Sequence, residues 1–273
     1  GVEAWRDDIA DILMQQPGIK GVFDRSDAAT RHREGLSERV ETLRGQEPPQ
    51  EIEIVEDGVR YGVDVRKGHK TGFYIDQREN RFLAQRLAAE FKQRHGRGMR
   101  ALNCFCYTGG FSLALLAGGA AEVVSVDSSE EALAMAARNA ARNSFNDERA
   151  QWVQADVFEY LRRAREAGET FDLVILDPPK FASSHRHIDR AARAYKDINL
   201  NGLRLVAPGG DLLTFSCSGA MDVDLFQKVI AGAVIDSKRE AWMVARLGAG
   251  CDHPLMMTCP EGEYLKGLQL TLR

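Results

Sequence analysis

Three kinds of residue in this sequence stand where they could do chemistry: strand-end carboxylates, a glycine-bearing turn and a thiol. Asp127, Asp156 and Asp177 each follow a short run with strand character, residues 123–126, 151–154 and 173–176. A carboxylate at such a point can accept the hydroxyl protons of a ribose, the reading for Asp127 with Ser128 beside it. It can equally take an adenine amino group while apolar neighbours sandwich the ring, the reading for Asp156 with Val157. Asp156 serves just as well as a helix N-cap, and that alternative stays open. Three carboxylates at successive strand ends nevertheless converge on one crevice.

The turn is Asn103-Cys104-Phe105-Cys106-Tyr107-Thr108-Gly109-Gly110-Phe111-Ser112. Its glycines let backbone approach a ligand ahead of a helix. It lacks the three spaced glycines of a dinucleotide fingerprint and carries neither a Walker lysine nor any other basic residue. The cofactor implied is a nucleoside without phosphates, and S-adenosylmethionine fits. A plain strand-to-helix connection is the competing reading of the turn taken alone.

The reacting groups would be Asp177 and Cys217. Leu173-Val174-Ile175-Leu176-Asp177-Pro178-Pro179-Lys180-Phe181 runs a buried strand into a turn whose two prolines fix their φ angles, holding the Asp177 carboxylate still for a planar substrate. An Asp-Pro-Pro turn at the fourth strand resembles that of methyltransferases acting on nucleobases; a mere loop breaker is the alternative. In Thr214-Phe215-Ser216-Cys217-Ser218-Gly219 a thiol follows another strand end among small polar residues. A thiolate can add to C6 of a pyrimidine and make C5 nucleophilic enough to attack a methyl sulfonium; nitrogen methylation needs no such group. Cys104 and Cys106 read as structural core thiols sharing one strand face. Cys251-Asp252-His253 and Cys259 form no paired CxxC arrangement, so no metal is expected.

The elements that must position these groups follow from periodicity. Residues 4–14 suggest a helix, and 51–55 and 59–65 alternate about Glu56-Asp57-Gly58 as a β-hairpin. From about Gln77 strands and helices alternate: helices over 81–91 and 128–143 and from Phe158 and Asp222, strands over 101–105, 123–126, 151–154, 173–176 and 211–215. The class is α/β, an open, doubly wound Rossmann-like sheet of parallel strands, completed by residues 243–247 and 265–272. The expected division is a partial central α+β domain with its hairpin over 1–70 and the Rossmann-like domain over 71–273.

Among 273 residues, 44% hydrophobic with a net charge of −4, there is no apolar stretch of membrane-spanning length and no secretory signal at the N-terminus, and a cytoplasmic protein with five reduced cysteines is expected. Net acidity argues against indiscriminate coating of nucleic acid, so RNA contact must be local. Residues 180–196, ahead of the next helix, carry Lys180, Arg186, Arg190, Arg193 and Lys196 against Asp189 alone. With Phe181, Tyr195 and two histidines they suit phosphates and stacked bases, or else form a solvated helix face. Residues 92–100 make a second basic patch.

With these residues in view, the chain resembles the ribosomal RNA large subunit methyltransferase I family, the bacterial enzymes that make 5-methylcytosine in large-subunit ribosomal RNA. The resemblance runs from about Gly21 to the C-terminus. It is carried by Gly68-His69-Lys70-Thr71-Gly72-Phe73-Tyr74-Ile75-Asp76-Gln77-Arg78, by residues 102–111 and 177–181, by Tyr195-Lys196-Asp197-Ile198-Asn199, by residues 214–219, and by Pro260-Glu261-Gly262-Glu263-Tyr264-Leu265-Lys266-Gly267. It implies that Phe73, Gln77 and Arg78 shape the S-adenosylmethionine pocket, that Tyr107, Thr108 and Gly109 line its methionine moiety, that Asp177 also faces the target base, and that Cys217 is the nucleophile. It implies ribosomal RNA as partner and is compatible with a homodimer. Members begin with a small RNA-binding PUA domain; the resemblance here starts within the central part that follows, so that domain is expected to be lacking. The rival readings are another specificity, such as guanine N7 or uracil C5, and a noncatalytic cofactor- or RNA-binding module.

Overall fold

The structure, a computed structural model, describes residues 1–68, 72–145, 148–182 and 185–273. It separates into two compact units: Gly1–Ile54 with Gly62–Phe73, and Val55–Tyr61 with Tyr74–Arg273.

In the smaller unit a 3-10 turn, Val2–Trp5, leads into α1, Arg6–Met14. Strands β1, Gly21–Ser26, and β2, Arg39–Gly45, pair antiparallel, with Glu3 binding Arg31 and Arg39 at 2.9 Å each. Neither of these strands was expected. Strands β3, Ile52–Glu56, and β4, Val59–Val63, form the anticipated hairpin. At its turn Asp57 and Gly58 take φ of 48° and 79°, the left-handed pair that the twist of a two-residue hairpin demands. The hairpin tip, Val55–Tyr61, counts with the larger unit.

The larger unit is the expected Rossmann-like layer structure. Helix α2, Arg78–His95, precedes β5, Arg100–Cys104; α3, Gly110–Ala117, leads to β6, Glu122–Asp127; α4, Glu130–Arg142, leads to β7, Ala150–Gln154. Next come α5, Val157–Glu166, and β8, Phe171–Leu176; then α6, Ile188–Leu205, and β9, Val206–Ser216; then α7, Val223–Ser237, β10, Ala241–Gly248, and β11, Lys266–Leu272. The seven strands lie in the order β10-β11-β9-β8-β5-β6-β7. From β5 the chain steps outward to β6 and β7, then back across to β8 and β9. Right-handed crossovers therefore put α3 and α4 on one face and α5 and α6 on the other. Helices α5, α6 and α7 pack side by side, and their apolar stripes meet β5, β9 and β8, the last buried along its whole length, in one core. The reversal of strand order falls between β5 and β8, where such a sheet opens a crevice at its carboxyl edge.

Two corrections concern topology. Strand β11 is antiparallel to both neighbours, β9 and β10, not part of a wholly parallel sheet. Residues 249–265 return from β10 without a crossover helix, so the chain must reverse direction, and β11 slots between β10 and β9. The second correction is that residues 180–196 do not all precede a helix: α6 begins at Ile188 and takes in Arg190, Arg193 and Lys196.

Candidate active site

The turn after β5 reverses its backbone three times within five residues. Phe105, Tyr107 and Gly109 have φ of 60°, 48° and 84°. Cys106 thereby leaves the strand. The strand face that Cys104 and Cys106 were expected to share is therefore not formed, although both thiols are buried and burial pushes both well up in pKa. Gly109 is the N-cap of α3, and a Cβ there would stand 2.9 Å from the Trp152 ring, so the residue is glycine partly because β7 presses against it.

Asp127 ends β6 and ties this turn down. Its Oδ2 accepts from the Tyr107 N–H and its Oδ1 from the Ser129 N–H, both at 2.9 Å. Each carboxylate oxygen has two lone pairs, so both retain capacity for a ligand hydroxyl. Ser128, beside it, is exposed. Asp156 caps α5, its Oδ1 accepting from the Glu159 N–H at 3.0 Å, and Val157 behind it is buried. The capping alternative for Asp156 is thus realised, with its side chain still at the exposed rim.

Asp177 follows β8 directly. Its Oδ1 accepts from the Gln77 amide at 3.0 Å, and the Gln77 carbonyl accepts from Asn80 at 2.6 Å; Asn80 also donates to the Gly248 carbonyl at 2.9 Å. This buried amide relay links the head of α2 to the end of β10 and presents one donor to the carboxylate. Tyr74 meets Tyr107 edge-on at 5.5 Å. Burial raises its phenol pKa far above the ordinary value, and the charges of Tyr107, Asp177, Cys217 and Asp76 add to the effect, which puts these groups around one site.

Cys217 follows β9, half-buried, with its Sγ donating to the Pro178 carbonyl at 3.9 Å. Parallel pairing of Leu176 with Thr214 brings the Asp-Pro-Pro and Ser-Cys-Ser segments to the same sheet edge. Around the thiol runs a set of fully buried hydroxyls. Ser216 donates to the Tyr195 phenol at 2.9 Å, Tyr195 and Ser218 share a bond of 3.1 Å, and the Ala182 N–H donates to Ser218 at 3.3 Å. Tyr195 is therefore no stacking platform for a base: it is fully buried, packed on Phe181 at 4.8 Å. Lys196 also leaves the proposed basic patch, because it pairs with Asp236 at 2.8 Å. Lys180, Arg186, Arg190 and Arg193 remain exposed.

Of the remaining residues singled out, Phe73 is buried and belongs to the smaller unit. Arg78 turns to the 249–265 segment, pairing with Asp252 at 3.3 Å and donating to the Cys251 sulfur at 3.6 Å. Residues 69–71 of the Gly68–Arg78 stretch lie outside the described residues. Among the described residues, no group of three or more His, Cys, Asp or Glu could hold a metal ion, and no helix is long and apolar enough to cross a membrane. The sequence reading passed over three participants: Asn80, the bond of 2.7 Å from the Tyr264 phenol to the buried Asp76, and Lys266, whose Nζ donates to the Ser218 carbonyl at 2.9 Å. The signal for Lys266 was a charge at the head of an otherwise apolar strand.

This donor set suits a nucleoside that carries a cation and lacks phosphate. Carboxylates stand at the ends of β6, β7 and β8, aromatic rings flank the turn, and no cation lies within residues 103–112.

Comparison with known proteins agrees. A family model described as S-adenosylmethionine-dependent methyltransferase matches residues 21–254. Ribosomal RNA large subunit methyltransferase I of Shewanella frigidimarina is 48% identical over 268 residues, covering 98% of this chain and 66% of that protein. Its counterpart in Photobacterium profundum is 48% identical over 267 residues, covering 98% and 65%. The chain thus spans just under two thirds of the length of these relatives, and the resemblance drawn from its motifs is borne out. Among solved structures, SMU.776 complexed with SAH superposes with a TM-score of 0.83 at 26% identity, covering 99% of this chain and 66% of that one. The Methanocaldococcus jannaschii tRNA m1G37 methyltransferase shares the fold at a TM-score of 0.59 and 21% identity, covering 98% and 68%.

Proposed function

Because the chain belongs to the S-adenosylmethionine-dependent methyltransferase family, we propose that it methylates C5 of a cytosine in large-subunit ribosomal RNA through a covalent adduct with Cys217. The observation that carries the reading is the thiol at the sheet edge, its Sγ against the Pro178 carbonyl of the Asp177 turn. The names of the relatives support the RNA, and the exposed Lys180, Arg186, Arg190 and Arg193 offer a local surface for its phosphates on an otherwise acidic protein.

Bound S-adenosylmethionine would supply an electrophilic methyl group. Asp127 and Ser128 would hold its ribose, Asp156 and Val157 its adenine, and Tyr107, Thr108, Gly109, Gln77 and Arg78 the remainder. Asp177, steadied by the Gln77 amide, would fix the target base in plane. The Cys217 thiolate adds to C6 and pushes electron density to C5. C5, made nucleophilic in this way, would take the methyl group that the bound cofactor supplies, with the sulfonium sulfur as leaving group. Loss of the C5 proton then restores the ring and breaks the C6–sulfur bond, returning the thiolate.

The test is transfer of labelled methyl to large-subunit ribosomal RNA lacking native modifications, with the nucleoside read by mass spectrometry. 5-Methylcytosine formed by the unmodified protein and absent with Cys217→Ala is the expected result. Undiminished turnover by Cys217→Ala, or a nitrogen-methylated product, would overturn it.

A further inference from the structure

Lys266 poses a problem that the methyl-transfer scheme leaves unsolved. It opens β11, is 4% exposed, and is followed by buried Gly267, Leu268, Gln269 and Leu270. An ammonium in such surroundings is costly unless a negative charge meets it. Yet its hydrogen bond is to a neutral carbonyl, that of Ser218 at 2.9 Å, and no carboxylate bonds it among the described residues. The antiparallel register sets Lys266 opposite Ser216, so the ammonium reaches past the residue before Cys217 and binds the residue after it.

We propose that Lys266 is the counter-ion that stabilises the Cys217 sulfur as a thiolate once the S–H that donates to the Pro178 carbonyl is lost, and that it fixes the segment carrying that sulfur. The inference rests on the reading of Cys217 as nucleophile. Its geometric basis is the closed collar about that residue: Ser216 and Ser218 are locked to Tyr195 and to the Ala182 N–H, and Lys266 locks the Ser218 carbonyl from the other side. Within this collar Cys217 is the group still able to become an anion.

The neighbouring titratable groups support the assignment. Cys217 faces the phenols of Tyr74, Tyr195 and Tyr264, all raised in pKa chiefly by burial, so they stay neutral and do not compete for the cation. Lys266 faces Cys217, Glu263, Asp222 and Lys180. Glu263 is exposed to solvent, Asp222 is exposed and caps α7 through a bond of 2.7 Å to the Leu225 N–H, and Lys180 is a like charge. Burial drives the Lys266 ammonium down in pKa and a thiolate beside it draws it back up, so each charge favours the other.

The experiment follows carbamidomethylation of Cys217 by iodoacetamide across pH in the full chain. The Cys217 peptide is resolved by mass spectrometry from those of the exposed Cys251 and Cys259. In the unmodified protein, reactivity should rise with a midpoint at least about one unit below the ordinary thiol value of roughly 8.5. Lys266→Gln keeps a donor for the Ser218 carbonyl without the charge, and should move the midpoint up by about one unit or more. Lys266→Arg should restore most of the shift. A midpoint at the ordinary thiol value in the unmodified protein would overturn the proposal, whatever the folding of the variants. So would a Lys266→Gln profile that coincides with it. Failure of the nucleophile reading looks different: Cys217→Ala would still turn over while the Cys217 profile kept its dependence on Lys266.

Discussion

Gln77 and Asp177 are 100 residues apart in the chain, yet the amide of one donates to the carboxylate of the other at 3.0 Å. The amide is itself oriented by Asn80, so the carboxylate is aimed by a buried group on α2 that need not touch a substrate. Replacing Gln77 by Leu removes a donor to a charged acceptor, worth about 1.5–3 kcal/mol. If Asp177 must be fixed for methyl transfer, kcat/KM should fall roughly ten- to hundredfold, since about 1.4 kcal/mol is tenfold in rate. Steady-state kinetics would check this, and an unaltered kcat/KM would deny the relay a part in the reaction.

Gly109 is constrained twice, by a φ of 84° and by the Trp152 ring at 2.9 Å from a Cβ. Gly109→Ala should destabilise by about 2 kcal/mol, the left-handed conformation alone costing an L-residue about 1–2 kcal/mol. Adding Trp152→Leu makes room for the methyl without relieving the backbone, so the double variant should recover part of the loss. Urea titration of the four proteins separates the two contributions; strict additivity would mean that the ring is not the obstacle.

The sequence disclosed those features whose cause is local. Asp57-Gly58 announced its turn because only a left-handed pair closes that hairpin, and Asp127, Asp156 and Asp177 were legible because apolar runs stop just before them. What stayed hidden depends on partners distant in sequence. The positive φ of Phe105, which takes Cys106 off the strand, has no composition signal. The first turns of α6 were masked by a basic run, although Ala191, Tyr195, Ile198 and Gly202 are buried at helical spacing. Lys266 drew no reading of its own because nothing nearby in the chain shows that β9 covers it.

Arg81 and Glu56 form a buried pair, their side chains 4% and 11% exposed, with bonds of 2.6 and 2.8 Å. Arg81 also donates to the Tyr74 carbonyl at 2.8 Å, so the pair secures the backbone beneath the site. Glu56→Ala leaves an uncompensated buried guanidinium and should cost about 3–5 kcal/mol. Chemical denaturation would measure it, and a loss below about 1 kcal/mol would class the pair with ordinary surface bridges.

Asp172 makes stability depend on acid at the opposite edge of the sheet. Burial alone would raise its pKa, but two bonds of 2.8 Å from Arg97, a third from the Arg100 N–H and the charge of Arg97 outweigh it, and the carboxyl titrates below its ordinary range. A depressed folded pKa means that the unfolded chain takes up the proton first. The contribution is therefore complete above the unfolded carboxyl value of about 3.9 and is lost as pH falls through the folded value. Arg97 is 57% exposed, so water screens the pair and the charge contributes about 1 kcal/mol. Thermal unfolding of the unmodified protein and Asp172→Asn should differ by a constant amount between about pH 5 and 7 and converge below about pH 4. A gap that persists unchanged into acid would show that hydrogen-bond geometry at Asp172, and not its charge, stabilises this edge.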